Sequence, residues 1–419
     1  MKRNNLILSV LFLPILLLLV SLTGCAASSA MITGSDAPPL PAAEPAEEKE
    51  EIMVITAVGD IMMHNTQITA GYRPSTDDYD FSAFFSYISP LFKRSDLVIG
   101  NLETTFSGAK AVYSGFPRFN TPEILAANLK IAGFDILTTA NNHCLDKGPD
   151  GLVSTLDCLD SAGILHTGTA RSQEERDRIL TTEIKGVKLA VIAYTYGTNG
   201  LPLPRDRSYM VNHLDVDRII ADIKKSRELK ARLVIVSLHF GTEYQPFPGP
   251  GEEKVVADLL EAGADIILGH HPHVLQPAFI FPRQSDNQSD DQSDVGRKFV
   301  IYSLGNFISA QQGLERRCSI ILNLYYRIDR QSGEPVFKEA AYVPVYTRSF
   351  RDKNKQCFEV IPVEPALTTV RTGENHGFSQ QDISNFEHTW QHVNAILSSP
   401  GEPLIRPEQL NIPLSQLSE

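Results

Sequence analysis

The sequence predicts an α/β fold whose strands are buried on both faces. Short apolar runs without regular alternation recur along the chain, as is typical of such strands. They cover residues 53–58, 97–100, 135–139, 189–194, 233–238, 266–268 and 298–302. Segments with helical periodicity lie between these runs, at residues 122–132, 151–162, 216–228 and 252–262. Because strand and helix alternate, we assign an α/β domain to residues 52–350.

Glycines follow the last turn of three predicted helices, where a left-handed cap favours this residue type. They are Gly133, Gly163 and Gly263. Residues 282–296 are rich in Ser, Asp and Gln, which predicts a mobile surface insertion. The pattern then changes, and residues 319–326 and 335–346 predict antiparallel edge strands. Residues 351–419 are expected to form a Pro-rich C-terminal appendage with one helix at 379–397.

The first residues predict an export signal. A basic start precedes an apolar run at residues 6–20 and the segment Leu22-Thr23-Gly24-Cys25, which is the order of a signal peptide. The run is shorter than the roughly 20 residues that span a bilayer as a helix. The segment resembles a lipobox, which implies removal of residues 1–24 and lipidation of Cys25; an ordinary cleavage site nearby is the alternative. With residues 25–51 as a disordered tether, we expect an exported protein, lipid-anchored at the outer face of the cytoplasmic membrane.

Charge and cysteine content narrow the choice of partners. The net charge is −12 and no basic stripe is present. Phosphate binding depends on clustered Lys and Arg, so nucleic acid is not an expected partner. Four further cysteines lack the paired spacing of a zinc or disulfide framework; they are Cys144, Cys158, Cys318 and Cys357. Free thiols and one or two bridges both remain compatible with this spacing.

Polar residues suited to metal binding follow six of the predicted strands. Ligands gather at the carboxyl ends of strands in open α/β sheets, so we expect these residues to share one site. They lie in Gly59-Asp60, Asn101-Leu102-Glu103, Asn141-Asn142-His143, residues 239–244, His270-His271-Pro272-His273 and residues 303–307. Taken singly, each also fits a turn, a cap or a core position. Oxygen and imidazole ligands without cysteine suit one or two Mn²⁺, Fe²⁺, Zn²⁺ or Mg²⁺ ions.

The ordered series of motifs, from about residue 54 to about residue 307, resembles the CapA family of poly-γ-glutamate capsule proteins. CapA-type proteins are in turn similar to calcineurin-like metallophosphoesterases. The resemblance therefore implies a four-layer α/β/β/α sandwich with mixed sheets. By position, it also implies a set of metal ligands and a histidine that assists the leaving group or the transition state. The implied ligands are Asp60, Asn142, His239, His271 and His273, and the histidine is His143.

Two positions depart from the phosphoesterase pattern. Met62 stands where that pattern has a histidine, and Asn101 stands where it has a bridging aspartate. A thioether is a poor ligand for hard divalent ions, and a neutral amide cannot bridge two cations as a carboxylate does. Three explanations are open: Glu103 supplies the carboxylate from a shifted position, the site holds one ion, or it binds a ligand without hydrolysis.

Further residues are assigned around this set. We expect Glu103 to be a metal ligand and Glu243 to be a catalytic group together with His143. Ligand contacts are expected from Asn101, Tyr244 and Asn306. His64 is a weaker candidate because only its position after Met62 supports it. The other histidines have no motif around them and are expected on the surface or on helix faces; they are His166, His213, His376, His388 and His392.

Three functions fit these expectations. The first, implied by the resemblance, is synthesis, export or anchoring of poly-γ-glutamate or a related anionic capsule polymer, with the membrane and a membrane synthase complex as partners. Candidate cations near the site are Lys93, Arg94, Arg118 and Lys147. The second function is metal-dependent hydrolysis of phosphoester or γ-linked amide bonds. The third is binding of a ligand or partner without catalysis.

Overall fold

The computed structural model describes residues 50–282, 296–374, 377–397 and 405–417. Several predictions fall outside the described residues: the signal peptide, Cys25, almost all of the tether, most of the insertion at 282–296, and His376. Within the described ranges, every helix is too short or too polar to span a bilayer.

The described residues form seventeen strands and nine α-helices. The strands are β1 (Ile52–Ile61), β2 (Tyr72–Arg73), β3 (Asp78–Tyr79), β4 (Leu97–Leu102), β5 (Ile136–Thr138), β6 (Leu165–Thr167), β7 (Leu180–Ile184), β8 (Val187–Thr195), β9 (Leu233–His239), β10 (Ile266–His270), β11 (Ala278–Phe281), β12 (Lys298–Ile301), β13 (Asn306–Ile308), β14 (Cys318–Ile328), β15 (Pro335–Asp352), β16 (Lys355–Pro362) and β17 (Ile405–Pro407). The helices are α1 (Asn65–Gly71), α2 (Ser89–Phe92), α3 (Ile124–Ala132), α4 (Gly148–Ala162), α5 (Gln173–Asp177), α6 (Val216–Glu228), α7 (Pro250–Ala262), α8 (Val363–Thr372) and α9 (Gln380–Leu397).

The predicted helices agree closely with the structure. The prediction for residues 216–228 coincides with α6, whereas α4 and α7 each begin earlier than predicted. Each of these two helices has a proline in its first turn, where the missing N–H leaves no intrahelical hydrogen bond unmade. The three predicted glycine caps are confirmed, because Gly133, Gly163 and Gly263 all have left-handed backbone conformations.

Two mixed sheets form the centre of the molecule. The first has nine strands in the order β16-β15-β14-β1-β4-β5-β6, with β13 beside β1 and β17 beside β15. Its strands β1, β4, β5 and β6 are parallel, and β14, β15 and β16 pair antiparallel in this order. Strands β13 and β17 pair parallel with β1 and β15. The second sheet has six strands in the order β11-β12-β10-β9-β8-β7, and only its edge strands β7 and β11 pair antiparallel. The expected α/β class with mixed sheets is confirmed.

Alternating side chains of the second sheet contribute to two hydrophobic cores, because successive residues of a strand point to opposite faces. In β9, Leu233 and Ile235 belong to a core that also contains Ile55 of the first sheet. Val234 belongs to a second core, built with α6 and α7. Helices α3, α8 and α9 contribute side chains such as Leu129 to the first core. The sheets therefore pack together between outer helices.

The predicted boundary at residue 350 is corrected by the structure. It falls inside β15, and the residues after it continue the first sheet through β16 and β17. The strands at 319–326 and 335–346 are antiparallel as expected, but β14 lies beside β1 in the interior of the sheet. Side chains of α9 such as Phe386 and Val393 belong to the main core. Residues 351–397 are thus part of the domain and not an appendage.

Candidate metal centre

Five strands bring polar residues of the predicted motifs to one edge of the two sheets. In the first sheet, Asp60 of β1 lies beside Asn101 of β4 and beside Asn306 of β13. In the second sheet, His239 of β9 lies beside His270 of β10. The strands are longer than the predicted apolar runs, so Asp60 and Asn101 lie within strands. They still lie near the carboxyl ends, where parallel sheets place their ligands.

Two glycines allow the close backbone contacts at this edge. A Cβ atom on Gly59 would lie 1.9 Å from the carbonyl oxygen of Gly305, and one on Gly269 would lie 1.8 Å from that of Tyr302. The main-chain nitrogen of Asp60 donates to the carbonyl oxygen of Gly305 at 2.9 Å. A side chain at either glycine would therefore separate strands that carry the candidate ligands.

Asp60 is the centre of the hydrogen-bond network. Its Oδ1 accepts from Asn101 Nδ2 at 2.8 Å and lies 3.1 Å from His270 Nδ1. Its Oδ2 accepts from the main-chain nitrogen of His271 at 3.4 Å and lies 3.3 Å from His273 Nδ1. Burial opposes ionisation of Asp60, but the hydrogen bonds with His270 and His273 outweigh it and hold its pKa well below the usual value. Asp60 is thus poised as a carboxylate.

Glu103 is buried without a hydrogen-bond donor. Its side chain is 0% exposed, and neither carboxyl oxygen has a hydrogen-bond partner among the described residues. The imidazole Nε2 atoms of His239 and His273 lie 3.6 Å and 3.9 Å from its Oε1. Burial and the nearby carboxylates of Asp60 and Glu243 raise the pKa of Glu103 well above its ordinary value. A cation is the partner that would stabilise the ionised form here.

Two buried histidines complete the central cluster. His239 Nε2 lies 2.9 Å from Asn142 Oδ1. Burial and neighbouring His271 hold the pKa of His239 well below its ordinary value. Burial and neighbouring His273 lower the pKa of His271 to about 4, and its Nδ1 has no hydrogen-bond partner in the described chain. Both rings are therefore neutral near pH 7, which is the form that binds metals.

Among the residues that the structure describes, acidic and imidazole groups form three overlapping sets that could hold a metal ion. Within each set, one ligand atom of every residue lies within 4.8 Å of the others. The sets are Glu103 with His239 and His271, Glu243 with His271 and His273, and Asp60 with Glu103 and His273. Glu103 belongs to two of them. This position fits the first of the three explanations, in which Glu103 supplies the carboxylate that Asn101 lacks.

His143 forms a hydrogen-bonded pair beside the cluster. Its Nδ1 lies 2.8 Å from Asp146 Oδ2, and both side chains are buried. Its Nε2 lies 3.5 Å from Asn199 Nδ2, and that asparagine also accepts from Asn142 Nδ2 at 3.2 Å. The ring of Phe119 contacts His143 edge-on, with 4.7 Å between ring centres. Asp146 therefore orients the imidazole while the opposite nitrogen faces the asparagines.

Comparison with known proteins identifies the family to which this chain belongs. Residues 54–311 match the family described as bacterial capsule synthesis protein PGA_cap. The chain belongs to this family. The matched residues include all the predicted metal ligands, from Asp60 to His273, so the family assignment rests on the segment that builds the cluster. The predicted resemblance to CapA-type capsule proteins is confirmed.

Relatives of this chain include capsule proteins of bacilli. The capsule biosynthesis protein CapA of Bacillus anthracis is 29% identical over 296 residues, which cover 68% of this chain and 67% of the relative. The PGA biosynthesis protein CapA of Bacillus subtilis (strain 168) is 26% identical over 311 residues, which cover 73% and 77%. A solved calcineurin-like phosphoesterase of Bacillus subtilis has 15% identity and a TM-score of 0.41, covering 82% of this chain and 98% of that one.

Three further predicted residues lie at the edge of the cluster or behind it. Glu243 is exposed and joins a ligand set with His271 and His273. Tyr244 is 39% exposed, and its ring centre lies 6.1 Å from that of His273. Asn306 is buried; its Nδ2 donates to main chain and side chain, while its Oδ1 has no partner in the described residues.

Other predicted residues are not brought into the cluster. Met62 is buried, and its sulfur makes no hydrogen bond within the described chain. His64 is the N-cap residue of α1 and packs on Phe119, with 5.3 Å between ring centres; burial lowers its pKa to about 4. Lys147 donates to Ser114 Oγ at 3.1 Å. Among the described residues, no hydrogen bond or ion pair joins any of the predicted cations to the ligand sets; the others are Lys93, Arg94 and Arg118.

Sequence reasoning missed three contacts of the site. His270 Nδ1 lies 3.1 Å from Asp60 Oδ1, yet no sequence motif distinguishes His270 from the two histidines that follow. Asn199 contacts Asn142 and His143 from a loop that carries no motif. Tyr196 lies in the same loop, and its ring centre is 4.6 Å from that of His271. Only the His-rich run around His270 offered a signal that could have been used.

Proposed function

We propose that this chain takes part in the synthesis of a poly-γ-glutamate capsule, using a divalent metal ion held by the buried cluster. Membership of the PGA_cap family supports the capsule role, as do the relatives named for capsule and PGA biosynthesis. The single observation that carries the metal is Glu103, whose two carboxyl oxygens are buried without a donor. A buried carboxyl group of this kind costs free energy unless a cation neutralises it.

The residues present fit a divalent ion. Glu103 and His271 both have buried atoms without a partner in the described chain, and both belong to two of the three ligand sets. Asp60, His239 and His273 would complete the ligands. Carboxylate and imidazole donors suit Mn²⁺, Fe²⁺, Zn²⁺ and Mg²⁺ to different degrees, and the overlapping sets leave room for one or two ions.

Export and anchoring are part of the same proposal. The amino-terminal sequence has the order of a signal peptide and a lipobox, which would place the mature chain at the outer face of the cytoplasmic membrane. There it would meet the polymer and a membrane synthase complex. The test is fractionation of cells that express Cys25→Ala or are treated with globomycin. We expect loss of membrane association, and unchanged fractionation would contradict the anchor.

A second candidate is a metal-dependent hydrolase of phosphoester or γ-linked amide bonds. The specific observation is the pair of His143 and Asp146, with 2.8 Å between Nδ1 and Oδ2. When bound, the ion would supply a Lewis acid at the reacting oxygen of the substrate. Asp146 holds the His143 ring, so Nε2 can donate a proton to a leaving group or contact a developing negative charge. Asn199 Nδ2 lies 3.5 Å from that nitrogen and restricts its position.

The decisive experiment combines metal content with capsule synthesis. We would delete the gene and complement it with the wild type, Glu103→Gln, or the matched surface variant Arg330→Gln, which lies beyond the far end of β14. We expect the wild type and Arg330→Gln to retain a divalent ion and restore polymer. Glu103→Gln is expected to lose both. Unchanged polymer in the deletion strain would refute the capsule role.

Metal analysis of the purified proteins separates the remaining alternative. A wild-type protein that retains no divalent ion, yet restores polymer, would favour binding of a ligand or partner without catalysis. Retention of metal together with cleavage of a phosphodiester or a γ-glutamyl amide would favour the hydrolase. Mass spectrometry of the metal and product analysis by chromatography give the two readouts independently.

A further inference from the structure

The short 3₁₀ turn Glu315–Arg317 places an arginine at the edge of the cluster. The guanidinium carbon of Arg316 lies 4.0 Å from the ring centre of Tyr244. The main-chain nitrogen of Tyr244 donates to the carbonyl oxygen of Pro272 at 2.8 Å, within the His-Pro-His loop. The carbonyl oxygen of Arg316 accepts from Asn306 Nδ2 at 3.0 Å. The turn is thus fixed to two segments that also carry site residues.

Both arginines of this turn lack a carboxylate partner in the part of the chain that the structure describes. Within the described residues, no Asp or Glu side chain lies at ion-pair distance from Arg316 or Arg317. Arg317 donates only to uncharged acceptors, the carbonyl oxygen of Gln311 at 3.4 Å and the hydroxyl of Tyr346 at 3.3 Å. This is notable in a chain with a net charge of −12. A guanidinium fork is the group best matched to a carboxylate, so an external carboxylate can bind here.

A groove continues from Arg316 along helix α9. Its volume is about 620 Å³, and its lining includes Arg316, His388, Gln391 and Ala395. Gln391 and His388 are exposed side chains able to bind the amide groups of an extended ligand. Glu315 also lines the groove, and its charge disfavours a carboxylate beside it. The carboxylate position is therefore at Arg316, which adjoins Tyr244.

We propose that the Glu315–Arg317 turn and helix α9 form a binding subsite for a polymeric carboxylate. A γ-linked glutamate chain carries one free α-carboxylate per residue and an amide between residues. One residue of the chain would lie at the metal centre, the next carboxylate would bind Arg316, and the chain would continue along α9. The subsite rests on the proposed function. It lies outside residues 54–311 matched to the family, so the structure alone assigns it.

Binding of defined γ-glutamate oligomers to the purified chain tests the subsite. Fluorescently labelled oligomers of two and ten residues would be titrated into the wild type, Arg316→Gln, Arg316→Lys and the matched charge variant Arg330→Gln. We expect the long oligomer to bind Arg316→Gln about tenfold more weakly, as loss of one charged hydrogen-bonded contact predicts. Arg316→Lys should lie between, because lysine keeps the charge but not the fork. Arg330→Gln should match the wild type.

A separate substitution tests the groove along α9. Ala395→Trp fills an exposed position on α9 and should remove the gain in affinity from the two-residue to the ten-residue oligomer. It should leave metal content and thermal stability unchanged. Equal affinities of wild type and Arg316→Gln for the long oligomer would overturn the subsite and leave the proposed function standing. A wild type that binds neither oligomer would overturn both.

Discussion

Two buried clusters of charged side chains differ in whether the protein provides partners for their carboxylates. Around Arg348, the guanidinium donates to Glu359 Oε2 at 3.2 Å and to Asp382 Oδ2 at 3.1 Å. Asp382 also accepts from the main chain and the hydroxyl of Ser379, each at 2.8 Å. Glu103, in the candidate metal centre, has no donor within the described chain. The two clusters therefore serve different purposes.

The difference teaches how to separate a structural carboxylate from one prepared for a ligand. A buried charge that protein donors neutralise contributes to the fold, and removing its partner is costly. A buried carboxyl group without donors lowers stability until a cation binds. The cluster of Arg348 connects α9 to β15 and β16, which explains why the residues after 350 belong to the domain. Among the described residues, Glu103 itself makes no hydrogen bond that connects elements in this way.

The largest expected effect is on the Arg348 cluster. Arg348→Met removes the partner of the buried Asp382 and of the partly buried Glu359, so we expect the free energy of unfolding to fall by about 3 kcal/mol. Urea denaturation followed by circular dichroism measures the change. The loss should be the same with and without a chelator, since no metal ligand is touched. A decrease no larger than that of the exposed control Arg330→Met would show that the two clusters do not differ.

The next effect concerns metal-dependent stability. A divalent ion at about 100 times its dissociation constant should raise the free energy of unfolding of the wild type by about 2.7 kcal/mol. Glu103→Gln should abolish this increment and leave the metal-free protein at least as stable as the wild type, because Glu103 has no donor to lose among the described residues. Thermal unfolding with EDTA or added Mn²⁺ or Zn²⁺ measures both. A variant destabilised equally in EDTA would mean that Glu103 is a structural residue.

Much of this fold could be predicted because its signals are local. Apolar runs and helical periodicity identified the central parallel strands and four helices. The ends of strands were less predictable: Asp60 and Asn101 are polar, yet they pair within strands because their side chains bind each other across the sheet. The last strands were not predicted because Lys355, Gln356 and Glu359 interrupt the apolar pattern of β16, and because β17 has only three residues.

The position of the candidate site at the strand ends was predictable, but the hydrogen bonds between its residues were not. Motifs at strand ends converge because parallel strands end at one edge, which is a property of the fold. Contacts between distant segments have no such signal. His270 and Asp60 are 210 positions apart in the sequence. Likewise, nothing around Arg316 predicted that its side chain would lie over Tyr244.

An effect of intermediate size, on turnover, is expected at the pair of His143 and Asp146. In this pair the Nδ1 atom of the imidazole bonds to the carboxylate. Asp146→Asn should lower the turnover of a phosphodiester or γ-glutamyl amide by about tenfold, because the ring loses the carboxylate that orients it. Metal content should not change, since Asp146 lies outside the ligand sets. Kinetics and metal analysis are measured on the same preparation. Loss of metal along with activity would instead place Asp146 among the residues that build the metal centre.

The smallest effect is the pH dependence of the Arg348 cluster. Burial opposes ionisation of Asp382, but the hydrogen bonds from Arg348 and Ser379 outweigh it and lower its pKa. A carboxyl group with a lowered pKa stabilises the fold above its unfolded pKa, and this contribution is lost as the pH falls through the folded pKa. Asp382→Asn should therefore cost up to about 1 kcal/mol at pH 7 and progressively less in acid.

Glu103 gives the opposite sign from Asp382, which makes pH a second way to compare these two carboxyl groups. Its pKa is raised by burial, so in the metal-free protein its ionised form opposes folding as the pH rises above the usual range of a glutamate. Stability curves from pH 3 to pH 8 in EDTA should therefore converge in acid for Asp382→Asn and wild type. For Glu103→Gln, the variant should gain on the wild type as the pH rises. If the stability curve of each variant ran parallel to that of the wild type, the proposed difference between Asp382, which has protein donors, and Glu103, which binds a cation, would be wrong.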